Sequence, residues 1–260
     1  MLPGFPMTIA LVIPALNEER VIAKTLAHSA RLGFDELIVA DGGSTDRTTE
    51  IVTGFQALPL MSEAPEQAEP RTSNLELGPF SLPTTVTLAV VPPGRGKQLN
   101  MGARLSKSEV LVFLHADTLL PKDARCSIER AMLTSGCVGG RFDVQFDDKT
   151  LLGNLISHMM NLRSRLTGIA TGDQAIFVRR TAFEALGGFA EIPIMEDVEF
   201  SKRLKAQGTI EALRSRVTTS FRRWQSNGPI RTILLMWGLR FLYWLNVSPT
   251  KLKQWYSDAR

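Results

Sequence analysis

Leu37-Ile38-Val39-Ala40-Asp41-Gly42-Gly43-Ser44-Thr45-Asp46 is the stretch that decides the fold. An apolar, β-branched run stops at a carboxylate, two glycines permit a tight turn, and a Ser/Asp pair offers caps for a helix. A buried strand that feeds a turn and then a helix is the unit of a parallel sheet. The same order recurs along the chain. Ile9 to Ile13 runs into Pro14-Ala15-Leu16-Asn17-Glu18-Glu19, and Val110 to Leu114 runs into His115-Ala116-Asp117; Val86 to Val91 is a further predicted strand. Helices are predicted over Glu18 to Arg31, with Gly33 as the stop, over Asp46 to Phe55, and over Gln98 to Leu105. The class is α/β, a Rossmann-like, mostly parallel sheet flanked by helices, in which ligands meet the loops at the carboxyl ends of the strands. Phe55 to Thr85, with five prolines and neither periodicity, reads as an irregular loop excursion.

Composition bounds the function. The chain has 260 residues, 44% hydrophobic and 22% charged, enough for one large α/β domain, and it excludes collagen-like, disordered and repeat-dominated classes. Two cysteines, Cys126 and Cys137, make no disulfide framework and no metal cluster, so a reducing, cytoplasmic setting is expected. No basic residue precedes the first apolar run, which reads as a strand and not a signal peptide. The apolar stretch Ile230 to Val247 is interrupted by Arg231 and Arg240 and falls short of the ~20 apolar residues of a membrane span. Residues 202 to 260 carry twelve Lys or Arg against Glu211 and Asp258, and they hold all four tryptophans and both tyrosines. Arginine beside such aromatics suits a phosphate-bearing ligand or an anionic membrane surface, including the inner face of a membrane; a core helix with a solvated basic face is the plainer reading. Residues 1–228 are read as the α/β domain. Residues 229–260 are read as an amphipathic helical segment, opened by Pro229 and broken at Ser248-Pro249, that packs beside the cleft, forms a homodimer contact or touches a membrane.

Each strand-end group has two readings. Asp41 either accepts hydrogen bonds from a nucleoside or caps its own turn. Asp117 is available to a divalent cation, since Mg²⁺ takes one or two carboxylates and completes its shell with water and phosphate oxygens. Gly94-Arg95-Gly96-Lys97, before a predicted helix, brings two cations and backbone N–H groups to a phosphate or is a solvated basic turn; it lacks Walker A spacing. Glu196-Asp197 opens a helix, where acids either complement the dipole or hold a general base.

Taken in order, these elements resemble the inverting glycosyltransferases of family 2, with the GT-A architecture, over most of the chain. Pro14-x-x-Asn17-Glu18 looks like the family's opening. Asp41 to Asp46 looks like its Asp-Asp-Gly-Ser-x-Asp nucleoside loop with Gly42 in place of the second Asp, and His115-Ala116-Asp117 stands where the family has Asp-x-Asp. Arg179-Arg180, Gly187-Gly188-Phe189, Glu196-Asp197 and Arg203-Leu204 look like its acceptor-side run. Ser220-Phe221-Arg222-Arg223-Trp224 resembles the Gln-x-x-Arg-Trp motif of processive synthases, but Ser220 replaces the Gln and the membrane region is absent, so processive synthesis is not expected. The His-Ala-Asp motif and short chain look most like the family's small stand-alone members.

The resemblance implies a nucleotide-diphosphate sugar donor, a UDP-sugar first among them, and transfer to an acceptor hydroxyl of a small metabolite or lipid with inversion at the anomeric carbon. It implies Asp197 as the base, with Glu196 and Gly188 on the acceptor side. Pro14, Asn17, Glu18, Asp41, Gly43, Arg95, Lys97, Asp117, Arg222, Arg223 and Trp224 are implied on the nucleotide-sugar side. The implied cofactor is Mg²⁺ or Mn²⁺ at Asp117, with His115 as a second candidate ligand whose presence makes strict metal dependence an open question. The rivals are an inactive nucleotide-sugar-binding protein on the same scaffold and a basic nucleic-acid binder; the latter leaves the strand-end motifs unexplained, so no nucleic-acid partner is expected.

Overall fold

Ile9–Ala15 (β1) lies inside the sheet, and its first five residues are all fully buried. Their side chains divide by parity: Ile9, Leu11 and Ile13 enter one apolar core, Ala10 and Val12 the other. A strand with both faces covered needs a continuous apolar run, and this one has it. In this computed structural model, which describes residues 7–57, 85–221 and 228–258, the first core is shared with Ile22–Ser29 (α1), Thr48–Ala57 (α2) and Ala124–Met132 (α4). The second core is shared with Arg95–Leu105 (α3), Arg180–Ala185 (α6) and Glu196–Leu204 (α7).

The strands are β1, Glu36–Asp41 (β2), Thr85–Val90 (β3), Val110–Phe113 (β4), Thr118–Leu119 (β5), Cys137–Phe146 (β6), Ile176–Arg179 (β7) and Thr209–Thr219 (β8), in the order β3-β2-β1-β4-β7-β6-β8-β5. The four predicted strands form a wholly parallel half. The other half is mixed: β7 runs antiparallel to β4 and β6, β6 and β8 are parallel, and β5 is antiparallel to β8. Leu151–Thr167 (α5) packs on β6, and Pro229–Trp244 (α8) and Pro249–Asp258 (α9) follow β8.

Several predicted boundaries move, each for a physical reason. Pro14 belongs to β1 instead of following it: pairing with β4 ends at Val12, so the missing N–H costs no ladder bond there, while pairing with β2 continues to Ala15. The helix expected from Glu18 starts at Ile22, because the Glu18 and Glu19 N–H groups are drawn aside to Thr48 and Asp46. α3 starts at Arg95 and not Gln98, which puts Arg95 and Lys97 in its first turn. Of the predicted excursion, Phe55 to Ala57 complete α2 and Thr85 opens β3; residues 58–84 lie outside the described residues, as do Arg222, Arg223 and Trp224.

Candidate active site

The loops leaving β1 and β2 are stitched into one unit. Asp41 is fully buried, and its Oδ2 accepts from the N–H groups of Gly43 and Ser44 at 2.9 and 2.8 Å while Oδ1 accepts from Ser44 Oγ. Its carboxylate therefore builds the turn, and Gly43, at φ +87°, supplies the left-handed residue that the turn needs. Asn17, itself left-handed at φ 56°, accepts from Thr45 N at 2.9 Å and donates its own N–H to Ser44 Oγ at 2.8 Å. Glu18 N–H reaches Thr48 Oγ1 at 2.8 Å, and Asp46 accepts from Thr48 N. Beneath these loops Gln98, on α3, donates to the carbonyls of Ala15 at 2.7 Å and Ala40 at 2.9 Å. A Cβ on Gly42 would lie 3.0 Å from Gln98 Nε2, so Gln98 occupies the room that an Asp at position 42 would need.

One strand further along the sheet, His115-Ala116-Asp117 leaves β4. Asp117 is half-buried, and among the described residues its carboxylate takes one hydrogen bond, a long one of 3.3 Å from Thr118 Oγ1. Thr118 in turn donates to Thr219 Oγ1 at 3.0 Å, which brings the end of β8 beside the motif. The Nε2 edge of His115 is buried over Gly172, where a Cβ would come within 2.3 Å of it. That packing turns this edge of His115 toward the 3-10 turn Gly172–Gln174, while the Asp117 carboxylate keeps its single long hydrogen bond. Gly172 closes the circuit, because its N–H donates to Asp197 Oδ2 at 2.7 Å. The strand-end motif and the acidic pair, eighty residues apart, thus meet across one glycine.

Asp197 sits in the first turn of α7, and its Oδ1 accepts from Val198 N at 2.7 Å. Glu196 is 3% exposed and pairs with Arg95 at 3.1 Å. Burial pushes the Glu196 carboxyl above its usual range, with Arg95 opposing and the Asp197 charge adding to the rise. Arg95, expected on the phosphate side, has an acceptor-side partner; Lys97 is exposed in the same turn. Gly188 is held from below: its φ is +76°, a Cβ there would meet Asn100 Oδ1 at 2.6 Å, and Asn100 brackets Phe189 through both N–H and carbonyl. Arg203 adds a bond to Gly188 O at 2.8 Å. The Gly-Gly-Phe run thereby anchors α7 to α3 by backbone contacts, with Phe189 in the second core.

The residue before the acidic pair, Met195, is buried in the left-handed region at φ 71°, a strained state for a side chain of its size. Leu239 of α8 and Leu252 of α9 pack on it. The C-terminal helices therefore hold the turn from which Glu196 and Asp197 project. Local sequence pointed to neither Gln98, Asn100, Gly172 nor Met195, since each acts on a partner distant in the chain.

Residues 10–65 match the family model Glycosyl transferase family 2. The chain is 28% identical over 217 residues to the probable glycosyltransferase YdaM of Bacillus subtilis, covering 75% of this chain and 46% of that one. It is 32% identical over 117 residues to glucosyl-3-phosphoglycerate synthase of Mycobacterium tuberculosis, covering 44% and 30%. The chain thus spans less than half the length of these curated relatives. Among solved structures, a mannosyltransferase from Pyrobaculum calidifontis in complex with GDP-Man and Mn²⁺ superposes with a TM-score of 0.56 at 19% identity, covering 83% of this chain and 57% of that one. The M. tuberculosis glucosyl-3-phosphoglycerate synthase with Mn²⁺, UDP and glucosyl-3-phosphoglycerate gives 0.53 at 19% identity, covering 81% and 70%. The fold is GT-A.

Proposed function

We propose that the protein is an inverting, family 2 glycosyltransferase that moves a sugar from a nucleotide-diphosphate donor to an acceptor hydroxyl. The observation that carries this reading is the convergence of the stitched loops 15–19 and 41–48 with His115 to Asp117 and, across Gly172, with Asp197. In this reading the loops shaped by Pro14, Asn17, Glu18, Asp41 and Gly43 border the nucleoside. Asp197 takes the proton of the acceptor hydroxyl as its oxygen bonds to the anomeric carbon. The bond from that carbon to the β-phosphate oxygen breaks, and the nucleoside diphosphate leaves with the electron pair. Lys97, in the first turn of α3, and the sequence's other cationic candidates Arg222 and Arg223 supply positive charge to that leaving group. Glu196, locked by Arg95, keeps the start of α7 in place.

A divalent cation fits this donor set on one condition. Among the described residues no group of three His, Cys, Asp or Glu could hold an ion alone, and Asp117 is a single, lightly bonded carboxylate. Such a site needs the donor's diphosphate to complete the shell, as Mg²⁺ sites commonly do. Asp117 would hold the ion, which when bound stabilises charge on the diphosphate.

The small stand-alone type suggested by the His-Ala-Asp motif, a UDP-sugar as donor, a cytoplasmic setting and contact of 229–260 with a membrane surface belong to the same proposal. Among the described residues no helix is long and apolar enough to cross a membrane. Exposed Trp237, Phe241 and Trp244 on α8 support a shallow contact. Thermal unfolding with a panel of nucleotide-diphosphate sugars, with Mn²⁺ and with chelator, tests the reading. A donor at 100 times its Kd raises apparent stability by about 2.7 kcal/mol. A panel in which no nucleotide sugar shifts the melting temperature refutes it.

A further inference from the structure

This mechanism leaves unused a cavity of about 440 Å³ between α5 and α8, with Asp173 of the 3-10 turn in its wall and Tyr256 of α9 also lining it. That volume lies in the range of small-molecule and lipid-chain sites. Half of the lining residues are aliphatic or thioether, Met159, Met160, Ile233 and Met236 among them, and Trp237 and Tyr256 add aromatic surface. Into it project Arg163 of α5 and Arg240 of α8, and among the described residues Arg163 Nε and Nη2 and Arg240 Nε are buried without a hydrogen-bond acceptor. Buried guanidinium N–H groups without acceptors are costly and uncommon in a finished core. Two such cations side by side repel: burial, and then the Arg240 charge, bring the Arg163 guanidinium down to about 10. Asp173 stands in the cavity wall, and Gly172 beside it in the same turn donates to Asp197 at 2.7 Å, so the cavity adjoins the turn that holds Asp197; both carboxylates offset part of the Arg163 charge. The cavity thus combines apolar surface with a polar pole in which Arg163, Arg231 and Arg240 outnumber the single carboxylate of Asp173, and Arg163 Nε and Nη2 and Arg240 Nε meet no acceptor among the described residues.

The rim extends the same chemistry outward. Leu166 of α5 is 78% exposed and Trp237 of α8 is 53% exposed, and both line the cavity; Leu155 and Phe241 continue the apolar strip on each helix, and exposed Arg231 stands at the edge. An exposed strip of this kind around a cavity marks a binding surface, and Trp beside Arg is the pattern of a membrane interface.

We infer that this cavity is the acceptor site and that the acceptor is an anionic lipid, with a hydrocarbon chain between α5 and α8, a phosphate or equivalent anion on Arg163 and Arg240, and its nucleophilic hydroxyl toward Asp197. The inference rests on the glycosyltransferase reading and specifies its acceptor. A free small anion would satisfy the arginines but leave the apolar wall and strip without a function; a neutral lipid would do the reverse. The combination of a single chain and a charged head meets both requirements.

Calorimetry with octyl phosphate, a neutral octyl glycol ether and inorganic phosphate separates the sources, with UDP and Mn²⁺ titrated into the same protein as an independent reading of the donor site. Octyl phosphate should bind one per chain and at least tenfold tighter than either partial mimic. The double variant Arg163→Met/Arg240→Met should lose that preference while UDP binding is retained. Met236→Trp, which fills the cavity with both arginines in place, should weaken octyl phosphate at least tenfold, and it serves if the double variant does not fold. Inorganic phosphate binding as tightly as octyl phosphate would overturn the lipid assignment, as would the neutral ether doing so or Met236→Trp keeping parental affinity. Failure of octyl phosphate with UDP binding intact refutes this inference alone; failure of UDP in the parent refutes the glycosyltransferase reading beneath it.

Discussion

The donor-side loops and the acceptor-side cavity stand at opposite limits of polar satisfaction. Around Asn17, Asp41, Ser44 and Asp46 the described polar groups meet partners within the loops, and Gln98 ties the strand ends beneath. Across the site, Arg163 and Arg240 hold buried donors that no described residue accepts. A fully satisfied network fixes one geometry in advance of binding, whereas an unsatisfied cationic pocket reaches its favourable state only when an anion arrives. In the proposed reading the nucleotide side is the preorganised one and the acceptor side is the one completed by what it binds.

The largest expected effect lies on the seam between the two. Asp197→Asn keeps an oxygen for the Gly172 N–H and removes the proton acceptor, so transfer should fall ~100-fold or more with nucleotide binding little changed. Steady-state rates beside UDP calorimetry decide it. Transfer at the parental rate would make Asp197 a strut for the 3-10 turn and break the division of labour.

Next comes the rigidity of the donor side. Gln98→Ala removes the donor to two inter-strand carbonyls and should cost ~2 kcal/mol in chemical denaturation. It also empties the space over Gly42. Gly42→Asp, destabilising by itself, should cost less in the Gln98→Ala background, a coupling that a double-mutant cycle measures. Additive effects would mean that Gln98 and the missing second Asp are unrelated.

How much of this was legible in the sequence follows from where each residue's partner lies. β1, β2 and β4 could be read because their apolar runs are buried on both faces, and β3, a half-exposed edge strand, because its residues are β-branched or apolar throughout. β6 could not: Arg141 and Asp143 interrupt it, and only the fold shows that Asp143 pairs at 2.8 Å both with Arg141 and with Arg165 of α5. The strand-end motifs stood out as short, local strings, so Asp117 and Asp197 could be singled out as candidates from sequence; that Gly172 lies between their loops could not. The delayed start of α1 depended on Thr48 and Asp46, almost thirty residues away, and no local pattern reports that. Arg240 read as part of a narrow polar stripe on α8; that it turns inward to Arg163 is a property of two helices together.

A smaller effect sharpens the metal side. Asp117→Ala should weaken UDP binding ~10-fold in Mn²⁺, the scale seen for disturbed metal shells, and change it little in chelator. Equal affinity of the parent protein in both conditions would shift the charge on the diphosphate from a cation to Lys97 and the arginines.

The smallest effect probes the charge balance of the cavity itself. Burial raises the Asp173 carboxyl above its ordinary range, the Thr171 hydroxyl and the Arg240 and Arg163 charges pull it down, and Asp197 adds to the rise. A carboxyl raised on folding contributes stability that is fully present below its unfolded value, ~3.9, and is lost as the pH climbs through its folded value. Asp173→Asn has no such loss. The melting temperature of the variant relative to the parent should therefore climb as the pH rises above about 4, by the few degrees that ~1 kcal/mol is worth in a domain of this size. Anion binding at Arg163 and Arg240 draws on the same positive charge that restrains Asp173, so octyl phosphate should steepen that climb. An offset that is flat with pH would assign Asp173 to the hydrogen bond with Thr171 alone and would remove it from the electrostatics of the acceptor side.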